Sequence, residues 1–304
     1  MARQLTLLCR GGIKASLVRL ASLVVVVLIS GAGAAQGAQT TAKVGKTHKV
    51  KKAAPVEAKK AAPVLPAEKL AKVRELLLGY DDTASVEAAK ALGQSGASNA
   101  LEPLVDLLSV GAVPVRVEAA VEALGALGDP RAIDVLELYA GHQMPEVRRR
   151  AVRALAAIKD ERVVPALLGA LGDGAPDVRA AAADALAARK ETKAGPRLLA
   201  LVKRNDAGAA PALGLLALPE LVPQLAELQG TVDDNVVASA LGEYIKRDDV
   251  PDGLRVDVVR TIGRLSGAAA TTALVEYLGS VPAKEDRPSK KEAQKLVDDK
   301  GTPK

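Results

Sequence analysis

Apolar residues recur every three to four positions through the middle of this chain, in runs about three helical turns long. In the clearest run Val147, Ala151, Ala154, Leu155 and Ile158 fall on one side of a helix. Pro145 precedes them, where a first helical turn tolerates a missing N–H. Lys159-Asp160-Glu161-Arg162 reads as a turn, and Pro165 then opens a second helix carrying Leu167, Leu168 and Leu171. Gly172-Asp173-Gly174 stops it. Residues 145–175 therefore predict a helical hairpin with one apolar stripe on each helix.

The same frame returns at a spacing of 31 residues. Pro114, Pro145 and Pro176 are each followed ten positions later by Leu124, Leu155 and Leu186. Ala120, Ala151 and Ala182 coincide, as do Ala123, Ala154 and Ala185. In the second helix Pro103, Asp134, Pro165 and Pro196 align, and so do Val105, Leu136, Leu167 and Leu198. The inter-helix turn repeats an acid at Asp129, Asp160 and Glu191. Outside 80–204 the helical pattern persists to about residue 282 but the spacing decays, as terminal repeats often do. A short helix from Glu68 to Leu78 caps the near end. The fold class is all-α, an α-solenoid (superhelix) of about six hairpins of 31 residues.

Composition fits that reading. There is no Phe or Trp and only four Tyr, and hydrophobic residues make up 49% of the chain. Ala and Leu carry most of that, which suits closely approaching helices better than a large globular core.

The ends differ from the middle. Residues 1–38 carry Arg3, Arg10, Lys14 and Arg19, then the apolar run Leu20 to Ile29, then a stretch of small residues to Ala38. That order is a signal peptide, with cleavage expected between Ala34 and Ala38. The run is shorter than the roughly 20 residues of a spanning helix, so no membrane span is expected after cleavage. Cys9 is the single cysteine and lies inside this segment, so a mature chain has no thiol. The expected location is the bacterial cell envelope, periplasmic or secreted.

Residues 39–66 form a Lys/Ala/Pro-rich stretch expected to be a disordered linker. Residues 283–304 are expected to be a charged flexible tail. The chain is +6 overall. The signal carries +4, residues 39–72 carry +7 and the tail +2, which leaves −7 on the array. The segment Lys43–Lys60 could therefore hold an anionic envelope polymer. In the acidic array the run Arg148-Arg149-Arg150 with Arg153 is the one dense basic spot, which could grip an acidic partner or a phosphate or simply form a solvated face.

Pro145-Glu-Val-Arg148, Pro176-Asp-Val-Arg179 and the Leu124-Gly125 ending resemble HEAT repeats, most closely the short bacterial kind related to phycobilisome-lyase repeats. The resemblance implies two rows of helices, one convex and one concave. It also implies that Arg148 and Arg179 pair with turn acids of neighbouring units, with Asp129, Asp160 and Glu191 as the acceptors of this structural ladder. Arg116 is out of step, because it aligns with Val147 rather than Arg148.

No catalytic constellation emerges. Only His48 and His142 exist, too few for a clustered metal site. Asp81-Asp82, Asp233-Asp234 and Asp248-Asp249 precede helix starts, where carboxylates cap free N–H groups. No phosphate-binding loop is present. Catalytic residues, cofactors and metals are all expected to be none. Nucleic acid is disfavoured by the lack of stacking aromatics. The expected activity is non-enzymatic holding of a protein or peptide on the concave second-helix row. The candidate contacts are Glu102, Asp106, Arg131, Glu137, Tyr139 and Arg162, with Arg149 and Arg150 on the first-helix row.

Overall fold

The computed structural model describes residues 63–216, 218–282 and 285–301. The expected signal peptide, residues 1–38, and residues 39–62 lie outside the described residues. Among those described there are fifteen α-helices and no sheet. An opening helix α1 (Ala67–Leu78) precedes seven hairpins. Their first helices are α2 (Asp82–Ser95), α4 (Pro114–Leu127), α6 (Pro145–Ala157), α8 (Pro176–Ala188), α10 (Ala210–Leu216), α12 (Asp234–Ile245) and α14 (Ala268–Ser280). Their second helices are α3 (Leu101–Ser109), α5 (Ile133–Ala140), α7 (Val164–Ala170), α9 (Gly195–Lys203), α11 (Val222–Ala226), α13 (Asp252–Arg264) and α15 (Pro288–Gly301). Each first helix packs on the next first helix, so the core is a continuous slab between two rows.

Seven hairpins replace the six expected, because the expected tail folds. In place of a flexible segment from 283, α15 packs on α13 and α14. Its sequence is mostly polar, but Ala293 and Ser289 are completely buried. The Ser289 hydroxyl meets Tyr277 Oη at 2.6 Å and donates to Asp252 Oδ1. A few well-placed apolar and hydroxyl side chains are enough to seat a helix whose sequence reads as solvated.

The presumed linker is also shorter. Leu65 donates its N–H to Asn99 Oδ1 and accepts from Asn99 Nδ2, both at 3.0 Å. Ser98 N–H reaches Pro63 carbonyl at 3.0 Å. Residues 63–66 are thereby tied to the turn before α3.

One leucine marks every unit: Leu92, Leu124, Leu155, Leu186, Leu213, Leu241 and Leu274, each at most 3% exposed. Burying such a side chain contributes about 1.5–3 kcal/mol. Their spacing is 32, 31, 31, 27, 28 and 33 residues. The first unit is thus 32 residues long, and in α3 the overlay with α5 shifts by one: fully buried Leu104, not Val105, matches Leu136, and Glu102, not Pro103, matches Asp134.

Beside that leucine the first-helix backbones come very close. A Cβ placed on Gly93 would lie 2.8 Å from Ala123 Cα, and one on Gly125 2.7 Å from Ala154 Cα. Only glycine permits such an approach, which explains the Leu-Gly ending.

Candidate protein-binding surface

The repeat-spaced polar residues turn mainly toward one another. Arg148 lies in the first turn of α6 and forms a two-pronged pair with Asp173, at 2.7 and 2.8 Å. Its remaining nitrogen donates to the carbonyls of His142 and Gln143. Arg179 repeats the arrangement on Asp206 at 2.5 Å and on the carbonyls of Asp173 and Gly174. Each arginine joins the loop before its unit to the loop after it. The acceptors are therefore Asp173 and Asp206, not Asp129, Asp160 and Glu191.

Those three turn acids do something more local. Asp129 and Asp160 cap short 3₁₀ turns and clasp arginines two residues on, Arg131 and Arg162. Glu191 caps its own turn through Lys193 N–H. The Arg131 hydrogen bond holds the Asp129 carboxyl below its usual range, against the opposing effect of burial. Arg131 and Arg162 reach on to the carbonyls of Ser98 and Pro130, in the preceding turns.

Arg116 turns the other way, to Asp82 at 2.5 Å and Gly79 carbonyl at 2.7 Å. Asp81 and Asp233 cap helices as expected, accepting from Thr83 and Ala84 and from Asn235. Asp249 does not cap: it pairs with Arg247 at 2.7 Å, since Pro251 holds the N-cap position of α13.

The candidate contacts divide accordingly. Asp106 pairs with Arg74, Arg149 with Glu146, and Arg150 with Glu118, Glu122 and Glu146. Tyr139 Oη donates to Leu108 carbonyl at 3.0 Å, a bond between consecutive units. Glu102 and Glu137 are exposed and make no hydrogen bond or ion pair among the described residues. Asp134, which the sequence reading passed over as a repeat marker, joins them. All three lie on α3 and α5, and they feel Arg131 and Arg162 only through space.

Sequence reasoning also missed Leu138, 74% exposed on α5. The signal was visible in the overlay: the matching positions on α7 and α9 are Gly169 and Ala200. Two further departures fall beside it. Val117 and His142 occupy the slots that Arg148 and Asp173 fill one unit later. His142 stacks on Tyr139 with ring centres 5.9 Å apart, and its Nδ1 accepts from Met144 N–H at 3.1 Å. That is the turn bond which Asp173 makes to Ala175 in the next loop.

Among the described residues no group of three or more His, Cys, Asp or Glu could hold a metal ion. No described helix is long and apolar enough to cross a membrane.

Two parallel rows of short helices, joined by tight turns and stacked unit on unit, define an α-solenoid. HEAT repeats are matched over residues 70–143 and 137–210, so this stretch of the chain is built of HEAT repeats. No curated protein matches it in sequence. Among solved structures it is similar to the CpcE–CpcF complex of phycocyanin lyase from Nostoc sp. PCC7120, at 23% identity. That match covers 83% of this chain and 99% of that one, with a TM-score of 0.42. A designed armadillo repeat protein is 19% identical over 75% of this chain and 98% of that one, with a TM-score of 0.32. Human deoxyhypusine hydroxylase is 21% identical, covering 75% and 83%, with a TM-score of 0.27. At such identities and scores none of these likenesses bears on what this chain does.

Proposed function

We propose that this chain is an exported, non-enzymatic scaffold that holds a protein or peptide partner on its second-helix row. One observation carries the reading: the polar residues that follow the repeat are occupied by one another. What the repeat leaves free is a set of exposed side chains on α3 and α5, namely Glu102, Asp134, Glu137 and Leu138. The Ser289 hydroxyl, completely buried, bonds to Asp252 and to Tyr277 and so joins helices. Export rests on the positive, apolar, small-residue order of residues 1–38.

A second reading gives the affinity to the segment Lys43–Lys60, since residues 39–72 hold nine lysines against two glutamates. Deleting residues 39–62 separates the two and leaves Pro63–Pro66 seated. Crosslinking to native cell envelope should then still capture a partner through the array. If all capture disappears with the deletion, and falls steeply with salt before it as counterion release requires, the scaffold reading is wrong.

A further inference from the structure

The loop edge of the array carries two like struts in succession, and the unit before them lacks one. Loops 142–144, 173–175 and 206–208 are chained together by Arg148 and Arg179. Between loops 111–113 and 142–144 there is no such strut, because Val117 stands where the arginine would be and His142 where the acid would be. Both members of the pair have changed together. In the place of the strut lies an open recess of about 370 Å³, lined by Gly111, Ala112, Val117, Leu138, Tyr139 and His142.

Exposed apolar side chains gather in the segments that line it. Val110, Val113 and Val115, neighbours in sequence of the lining residues Gly111, Ala112 and Val117, are 69%, 47% and 48% exposed, and Leu138 is 74% exposed. Next to it, sharing Gly141, a shallow groove runs from Glu137 to Asp173 over the C-terminal ends of α5 and α7. Helix C-termini carry partial negative charge, Glu137 makes no ion pair among the described residues and feels Arg162 only through space, and residues 73–282 carry −7. Apolar rim and negative surround together select one kind of ligand.

Resting on the scaffold reading, we infer that the recess between loops 111–113 and 142–144 is the anchor point. It takes one apolar side chain of a partner segment whose neighbouring residues are lysine or arginine. The side chain packs on Val117, Leu138 and the Tyr139–His142 stack. The flanking cations lie over Glu137 and the helix ends. Tyr139 and His142 hold the wall: the tyrosine is fixed by Leu108 carbonyl and the imidazole by Met144 N–H.

The repeat itself supplies the test. The double substitution Val117→Arg with His142→Asp should rebuild the strut seen one unit later, filling the recess without adding net charge. Leu138→Ser removes the apolar rim at an exposed position. Binding of a fluorescent five-residue peptide, a leucine flanked by two lysines on each side, would be read by anisotropy on the array lacking residues 1–62. Circular dichroism would confirm that both variants stay folded. Wild type should bind this peptide at least tenfold more tightly than versions with central alanine or with glutamate flanks. Each variant should lose at least tenfold. Equal binding of the leucine and alanine peptides, or wild-type affinity in both variants, overturns the recess as anchor. Absence of any peptide binding overturns it as well. In each of those cases the scaffold reading still stands or falls by envelope crosslinking, in which Glu102→Lys with Glu137→Lys would then be the informative variant.

Discussion

Residues 82–203 and residues 210–301 stack their hairpins in the same way but are fastened differently. In the first stretch the fastenings repeat: Arg148 with Asp173, Arg179 with Asp206, Asp129 with Arg131, Asp160 with Arg162. In the second each joint has its own. Asp234 accepts from Ser266, Asn235 from Ala269, and Ser289 bonds to both Asp252 and Tyr277. Arg255, only 2% exposed, donates to the carbonyls of Ile245 and Arg247. The lesson is that apolar packing alone sets the stacking of a solenoid. The polar fastenings can be uniform or improvised upon the same core.

The sharpest way to break the comparison is at Arg255. Arg255→Ala should cost about 2–5 kcal/mol, because the carbonyls of Ile245 and Arg247 each lose a donor at about 1–3 kcal/mol apiece. Hydrogen exchange should show α12 to α15 losing protection while α4 to α8 keep theirs; uniform loss would mean the two stretches are not separately fastened. Next, Gly125→Val and Gly242→Val should each cost about 1–3 kcal/mol by overpacking. A Cβ at Gly242 would lie 2.9 Å from Ala273 Cβ, so similar losses in urea unfolding would show that one packing rule serves both stretches. Arg179→Ala, at the last rung of the regular stretch, should cost about 1–3 kcal/mol because Asp206 and two carbonyls lose their donor. A change within about 0.5 kcal/mol would place that rung among surface pairs of little consequence.

Asp173 sharpens the same point through pH. The Arg148 hydrogen bond holds its carboxyl below the usual 3.8, against the opposing effect of burial and with help from Ala175 N–H. Its contribution is therefore complete above about pH 4 and is lost as pH falls through the lowered value. Asp173→Asn should cost about 1 kcal/mol at pH 7, with the gap to wild type closing as an acid titration proceeds. A gap independent of pH would remove the pair from the account. The smallest effect is a gain. Lys190 sits at φ 55° just past α8, the left-handed position that Gly96 and Gly128 fill earlier. Lys190→Gly should raise stability by about 0.5–1 kcal/mol, measured as a later urea midpoint.

Much of the fold was legible because the regular units repeat apolar and backbone-forcing residues together. Pro at a helix start and Leu-Gly near its end constrain geometry whatever the neighbours are. Past residue 204 the prolines drift, and only the leucine survives as a marker, with its interval dropping to 27 and 28 residues. The last hairpin was hidden because α15 is seated by Ala293 and Ser289, two small residues in a charged segment. The acid partners of Arg148 and Arg179 were misread for a different reason. Asp129, Asp160 and Asp173 all recur near turns, and spacing does not say which side of a helix pair each turn occupies. The candidate surface was legible by subtraction, since Leu138, Val117 and His142 are all departures from the overlay.

The interrupted strut also has a mechanical meaning. Arg148 and Arg179 act as inextensible links that fix the distance from one loop to the next along that edge. Where Val117 and His142 stand in place of the link, the first and second hairpins are joined beside the recess by the Tyr139 hydroxyl on the Leu108 carbonyl. Bending or twisting of the array under load will concentrate at this joint in preference to the two braced ones that follow it.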